Sequence, residues 1–133
     1  MIKRKLTILG KKISRFPKNP GEATLEAIPF SKGECTTTVN LITDEFTSLC
    51  PVTGQPDFGE IRIEYVPEKF IIESKSLKLY LFSFRNIGMF QEEIVNRILS
   101  DIKKTLSPLS IKVTGTFKSR GGIVISPIAE WKK

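Results

Sequence analysis

Residues 49–80 read LCPVTGQPDFGEIRIEYVPEKFIIESKSLKLY. A cysteine before a proline, a run of turn residues, one alternating strand and a lysine-bearing octapeptide follow one another without a gap. Pro51 disfavours helix at Cys50, so the cysteine is expected at a strand end or loop entrance. Asp57 lies seven residues on, inside Gly54-Gln55-Pro56-Asp57-Phe58-Gly59. Such a turn can fold back and carry the carboxyl towards the thiol. A thiol nucleophile and a carboxyl proton donor make a minimal pair for covalent catalysis. The plainer readings are a buried, inert cysteine and an aspartate that only serves its turn.

The chain contains no histidine. That removes Ser-His-Asp and Cys-His pairs and any histidine-ligated metal centre, and no metal site is expected. Thiols, carboxylates, lysines and tyrosines remain. At 133 residues the chain fits one domain that buries about two-thirds of its unfolded surface. No apolar run approaches the roughly 18 residues that span a bilayer. The basic start MIKRKLTILGKK is too short in apolar residues for a signal peptide. Two cysteines, one wanted as a thiol, point to a reducing, cytoplasmic setting rather than a disulfide scaffold.

The net charge is +7, from 21 basic and 14 acidic residues. Seven of the basic residues lie between Lys3 and Lys18. We assign 1–33 to a basic arm packing on the domain or a neighbouring subunit, and 34–133 to the domain itself. The strands carry few aromatics of the kind that stack on single-stranded bases, so neither a nucleic-acid partner nor a membrane is expected.

Along the chain, Glu34 to Asp44 predicts the first long strand, with Cys35 a structural thiol near its start. Glu60 to Val66 alternates and predicts a second strand. Ser74 or Ser76 can cap a helix bearing Leu77, Tyr80, Leu81 and Phe84. Lys75 and Lys78 share a face of it, as a solvated lysine pair or an anion site. Phe90 to Leu106 carries the clearest helical stripe, with Glu92 and Glu93 at its start and Lys103 and Lys104 at its end. The helix dipole accounts for that polarity unaided. Leu109 to Phe117 predicts a third strand, Ser119-Arg120-Gly121-Gly122 a hairpin turn, and Ile123 to Ile128 the returning strand. The order implies an α+β fold, a four-stranded antiparallel sheet with two helices on one face.

Glu73-Ser74-Lys75-Ser76-Leu77-Lys78-Leu79-Tyr80, together with the Cys50–Asp57 spacing, resembles the NADPH-dependent 7-cyano-7-deazaguanine reductases. These are the nitrile reductases of queuosine biosynthesis, the QueF family, here in its short single-module form. The resemblance runs from about Thr36 to Ser126. It implies a tunnelling fold (T-fold) whose subunits join into an oligomeric barrel with active sites between neighbours. It implies that Cys50 forms a covalent thioimide with the nitrile of 7-cyano-7-deazaguanine, with Asp57 the proton donor, and that the product is the 7-aminomethyl compound. Ile72, Glu73, Ser74, Gln91 and Glu92 match the substrate-binding positions. Lys75, Lys78, Arg120, Gly121 and Gly122 match those that face the NADPH phosphates.

One departure is Gln91, where the family usually has histidine before the substrate-binding glutamate. Glutamine cannot titrate, which leaves protons to Asp57. Two other readings stand beside the reductase. One is the related amidinotransferase that acts on the nitrile within transfer RNA, which lacks the lysine-bearing octapeptide. The other is a non-catalytic role, as a purine- or pterin-binding tunnelling-fold module or a basic RNA-binding protein.

Overall fold

The computed structural model describes residues 6–7 and 16–133. Within the stretch 1–33 assigned to an arm, residues 1–5 and 8–15 lie outside the described residues. The elements are β1 (Ala27–Pro29), β2 (Val39–Leu49), β3 (Pro56–Val66), β4 (Phe70–Ile72), α1 (Ser74–Phe82), α2 (Gln91–Leu106), β5 (Ser110–Phe117) and β6 (Ile128–Lys132). A four-stranded antiparallel sheet runs β2-β3-β5-β6, and β1 pairs with β4 in a small second sheet. The architecture is α+β, as the element order implied.

Strand periodicity sets which face is covered. Ile61, Ile63 and Tyr65 of β3 and Ile111, Val113 and Phe117 of β5 are buried. They meet the stripe Ile94, Val95, Ile98, Ile102 and Leu106 of α2. Glu60, Arg62, Glu64 and Lys112 take the alternate positions, and the pairs Arg62–Glu60 and Lys112–Glu130 lie there. Gly59 sits in the ladder because a Cβ would stand 2.7 Å from the Thr116 carbonyl oxygen. Asp101 ties α1 to α2: its Oδ2 accepts from Tyr80 Oη at 2.6 Å and from Arg97 Nε at 2.7 Å. Burial, and then Asp101, push the Tyr80 phenol far above its ordinary range.

Three strand assignments need correction. The first strand is Val39–Leu49 and not Glu34–Asp44. Its register shifts between Thr43 and Phe46, where three steps on β2 match two on β3. This bulge reverses the facing of the strand. Leu41 and Thr43 share a face with Ile63 and Ile61, and after the bulge Phe46 and Ser48 share that same face with Gly59 and Asp57. Simple alternation breaks at Asp44-Glu45, which made the strand look finished there.

The second strand begins at Pro56, so Asp57 is a strand residue and not part of the turn. Proline is tolerated at a first strand position. The returning strand is Ile128–Lys132 and not Ile123–Ile128. Residues before it still touch β5, since Gly115 N donates to Pro127 O and Phe117 N to Ile125 O. Pro127 has no N–H to return, so the regular ladder starts after it.

Cys35, expected near a strand start, is exposed and precedes β2. Strands β1 and β4 have no sequence counterpart because each has only three residues. They matter nonetheless, since Leu25, Ala27 and Ile72 join the core.

Ile98 is fully buried at the centre of α2. Ile98→Ala should cost about 2–5 kcal/mol in urea unfolding, whereas Ile42→Ala, at a site 54% exposed, should cost under about 1 kcal/mol.

Candidate active site

Cys50 follows the last residue of β2 directly, at the mouth of the loop that joins β2 to β3. The loop closes on itself. Cys50 N donates to Gln55 O at 2.8 Å, and Gly54 N donates to Cys50 O at 2.9 Å. Gly54 takes a positive φ of 73°, which glycine accepts without cost. Thr53 N then points at the thiol and donates to Sγ at 3.5 Å. Pro51 has no N–H to compete in this first turn.

This cradle acts on the thiol. Hydrogen bonding from the Thr53 side chain, then from the backbone at Thr53 and Val52, lowers the Cys50 pKa to about 7. Partial burial opposes the shift and the Arg120 guanidinium adds to it. An ordinary cysteine near 8.5 is mostly protonated at neutral pH. The lowered value favours thiolate at Cys50 near neutral pH, and thiolate is the nucleophilic form of cysteine.

Asp57 stands opposite Ser48 in the β2–β3 ladder, and Pro56 opposite Leu49. The hairpin therefore carries the carboxyl back beside the thiol-bearing loop. Asp57 is buried, and its Oδ1 pairs with Arg120 Nη2 at 2.5 Å. The same nitrogen lies 3.3 Å from Pro56 O. Arg120 heads a two-residue turn, with Arg120 N to Ile123 O at 2.9 Å and Ile123 N to Arg120 O at 3.0 Å. Gly121 (φ 57°) and Gly122 (φ 80°) are both left-handed, which is why this turn needs two glycines.

The start of α2 reaches the same place. Leu49 N donates to Ile87 O at 3.0 Å and Met89 N to Leu49 O at 3.1 Å, so residues 87–89 run parallel beside the end of β2. Gly88 packs on Pro51, and a Cβ there would lie 3.3 Å from the proline Cα. Gln91 and Glu92 open the helix just beyond. Gln91 is buried with its Oε1 unpartnered, and Glu92 is exposed. Ser48 Oγ is likewise buried without a partner. A buried orphan of this kind costs about 1–3 kcal/mol, and native proteins keep few of them.

The other candidates lie elsewhere. Ile72 N donates to Tyr65 Oη at 3.0 Å, which fixes the β4–α1 junction near the far end of β3. Asp57 and Tyr65 are eight residues apart on that strand, a span of about 26 Å at roughly 3.3 Å per residue. Within one chain, Cys50, Asp57, Arg120, Gln91 and Glu92 gather at one end of the sheet. Ile72, Glu73, Ser74, Lys75 and Lys78 do not join them.

Glu73, not Ser74 or Ser76, caps α1. Its carboxylate accepts from Ser76 N at 2.7 Å and Lys75 N at 2.8 Å. Ser76 is a buried tie, donating to Glu73 O at 2.8 Å and accepting from Glu26 N at 3.0 Å. Ser74 and Lys78 line a cleft of about 730 Å³ between α1 and β2 that also holds Arg85 and Asp44. Thr53 and Ser48 were missed by sequence reasoning. For Thr53 a signal existed, since Cys-Pro-x-Thr places a donor three residues after the thiol.

These positions can be set beside known proteins. The family model for QueF-like protein matches residues 56–133. The chain belongs to that family. It is 49% identical over 98% of its length to the NADPH-dependent 7-cyano-7-deazaguanine reductase of Bacteroides thetaiotaomicron, covering 85% of that protein. It is 46% identical over 96% of its length to the reductase of the same name from Neisseria meningitidis serogroup C, covering 82% of it. Among solved structures, the apo form of the archaeosine synthase QueF-Like superposes with a TM-score of 0.68 at 26% identity, over 73% of this chain and 95% of that one.

The cradle makes a specific prediction. Iodoacetamide alkylation of Cys50 should rise through a midpoint near pH 7, because thiolate increases with pH from about 7 upward. Thr53→Val, which removes the hydroxyl that acts most strongly, should move that midpoint towards the ordinary value near 8.5. Rates followed by intact mass across pH 5.5 to 9.5 would check it.

Proposed function

We propose that this protein is an NADPH-dependent 7-cyano-7-deazaguanine reductase. It carries the nitrile to the primary amine and so serves queuosine biosynthesis. The observation that supports it most is the β2–β3 hairpin, whose register brings the enclosed Asp57 back to the end of the sheet that bears the Cys50 loop. Sequence identity near one half over almost the whole chain, to reductases of that name, points the same way.

In this reading the Cys50 sulfur bonds to the nitrile carbon as one C–N π bond opens. Asp57 hands the proton released by the thiol on to the nitrogen, giving the thioimide. Bound NADPH supplies the hydride, and two equivalents in turn balance the change from nitrile to amine. The sulfur leaves as thiolate between them, and Cys50 is regenerated. Glu92, exposed at the α2 N-terminus, accepts N–H donors from the guanine-like edge in a bidentate way. Gln91 supplies a polar group that does not titrate. Lys75, Lys78 and Arg120, with Gly121 and Gly122, are the cofactor-facing set.

Ile72, Glu73 and Ser74 stand too far from Cys50 to share a substrate within one chain. We therefore assign them to the site of a neighbouring copy, in a tunnelling-fold barrel of joined sheets. Strands β2 and β6 are open edges of the four-stranded sheet, and Ile42, Phe58 and Ile128 are exposed on it. Unpaired edges of this kind call for a covering partner. No described helix is long and apolar enough to cross a membrane, and free thiols at both cysteines suit the cytoplasm. The lysines at 75 and 78 favour the reductase over the transfer-RNA amidinotransferase, whose pattern lacks them.

Protein mixed with 7-cyano-7-deazaguanine alone should gain the mass of one nitrile. Adding NADPH should discharge the adduct as nicotinamide absorbance falls by two equivalents per amine formed. Cys50→Ala should show neither event, and Cys35→Ala both. An adduct that survives Cys50→Ala would refute the assignment.

A further inference from the structure

Arg120 was expected among cofactor contacts, yet it lies against the thiol and the acid. Its Nη2 stands 2.5 Å from Asp57 Oδ1 and 3.3 Å from Pro56 O. Among the described residues no other side chain holds Asp57. The Ser48 hydroxyl, across the ladder from Asp57, makes no hydrogen bond. Asp57 is enclosed, its side chain 7% exposed, while Arg120 keeps 45% of its side chain in solvent.

The backbone fixes the arginine from two directions. Lys118 N donates to Phe58 O at 2.9 Å, carrying β5 past its last ladder residue and alongside β3. The Gly121-Gly122 turn then locks Arg120 to Ile123. A rigid turn that only offered a cation to a soluble phosphate would not need to aim the guanidinium inward at an enclosed carboxylate.

We propose that Arg120 is a positioning residue for the thiol–carboxylate pair, holding Asp57 beside Cys50 in the step that precedes hydride transfer. This deepens the reductase reading and rests on it. A guanidinium has five N–H donors in a fixed fork. One edge can hold Asp57 and Pro56 while the solvent-facing edge stays open to an anion. The role is thus compatible with a cofactor contact but separable from it. A residue used only for the cofactor has no part in adding the thiol to the nitrile. A residue that holds the acid does. The groups acting on the thiol are Thr53 first, then Val52, with a smaller hydrogen-bond contribution from Arg120.

The experiment is adduct formation without NADPH, followed by stopped intact-mass measurement in parent, Arg120→Met, Arg120→Lys and Asp57→Asn proteins and the Arg120→Met/Asp57→Asn double variant. Arg120→Met should slow adduct formation about 10- to 100-fold, as expected when a reacting group is left misplaced. Arg120→Lys should recover part of the loss. In the Asp57→Asn background, Arg120→Met should add little, because both changes break one unit. The pH midpoint of iodoacetamide alkylation should rise in Arg120→Met, which a turn that merely stabilised the fold would not cause. Parental adduct rate with a parental alkylation midpoint in Arg120→Met would overturn the proposal. If the parent itself forms no nitrile adduct, the reductase reading fails. The alkylation arm then still decides whether Arg120 acts on Cys50, and an unmoved midpoint overturns the proposal there too.

Discussion

The pairing of β2 with β3, closed by the Cys50 N–H on the Gln55 carbonyl, is the constraint on which the site depends. A thiol and an acid seven residues apart can meet only if the chain between them reverses at once. The loop does this with a proline at its entrance, a left-handed Gly54 at its exit and one inward N–H aimed at sulfur. The same reversal that sets the strand register also stabilises the thiolate. Changing the loop would therefore alter fold and reactivity together.

The bulge at Asp44-Glu45 is the second half of that constraint. Without it, Phe46 and Ser48 would point away from the helices, and the end of β2 would meet the core out of phase. With it, Phe46 packs on Phe84 and Phe117, and Ser48 comes to face Asp57. The parallel contact of Leu49 with Gly88 then delivers the start of α2. Three separate segments reach one end of the sheet through backbone contacts alone. The side chains there inherit positions fixed by the ladder.

Much of this was legible in the sequence. The stripe from Ile94 to Leu106 gave α2 almost to the residue, because a 3.6 period over four turns has few competing readings. Gly121-Gly122 predicted a tight turn because two adjacent left-handed residues almost demand glycine. The strands around the site were harder. A bulge breaks the alternation on which a strand is recognised, so the strand pattern stops at Asp44. Pro127 hid where the β6 ladder begins. Serine outranks glutamate as an N-cap, so the sequence points to Ser74 or Ser76 rather than to Glu73. The Asp57–Arg120 ion pair joins residues 63 positions apart, and no local pattern carries that information. Gln91 and Ser48 read as ordinary polar residues until their burial is known.

The two ends of the sheet pose the sharpest demand. Cys50 and Asp57 occupy one end and Glu73 lies towards the other, so the proposed function calls for two copies of the chain. Subunit complementation tests this directly. Cys50→Ala and Glu73→Gln proteins, each inactive alone, would be unfolded together, refolded as a mixture and assayed for NADPH-dependent nitrile reduction. The account predicts that turnover returns in the mixture, in sites that take Cys50 from one copy and Glu73 from another. A mixture as inactive as its two components, though assembled and folded, would contradict it.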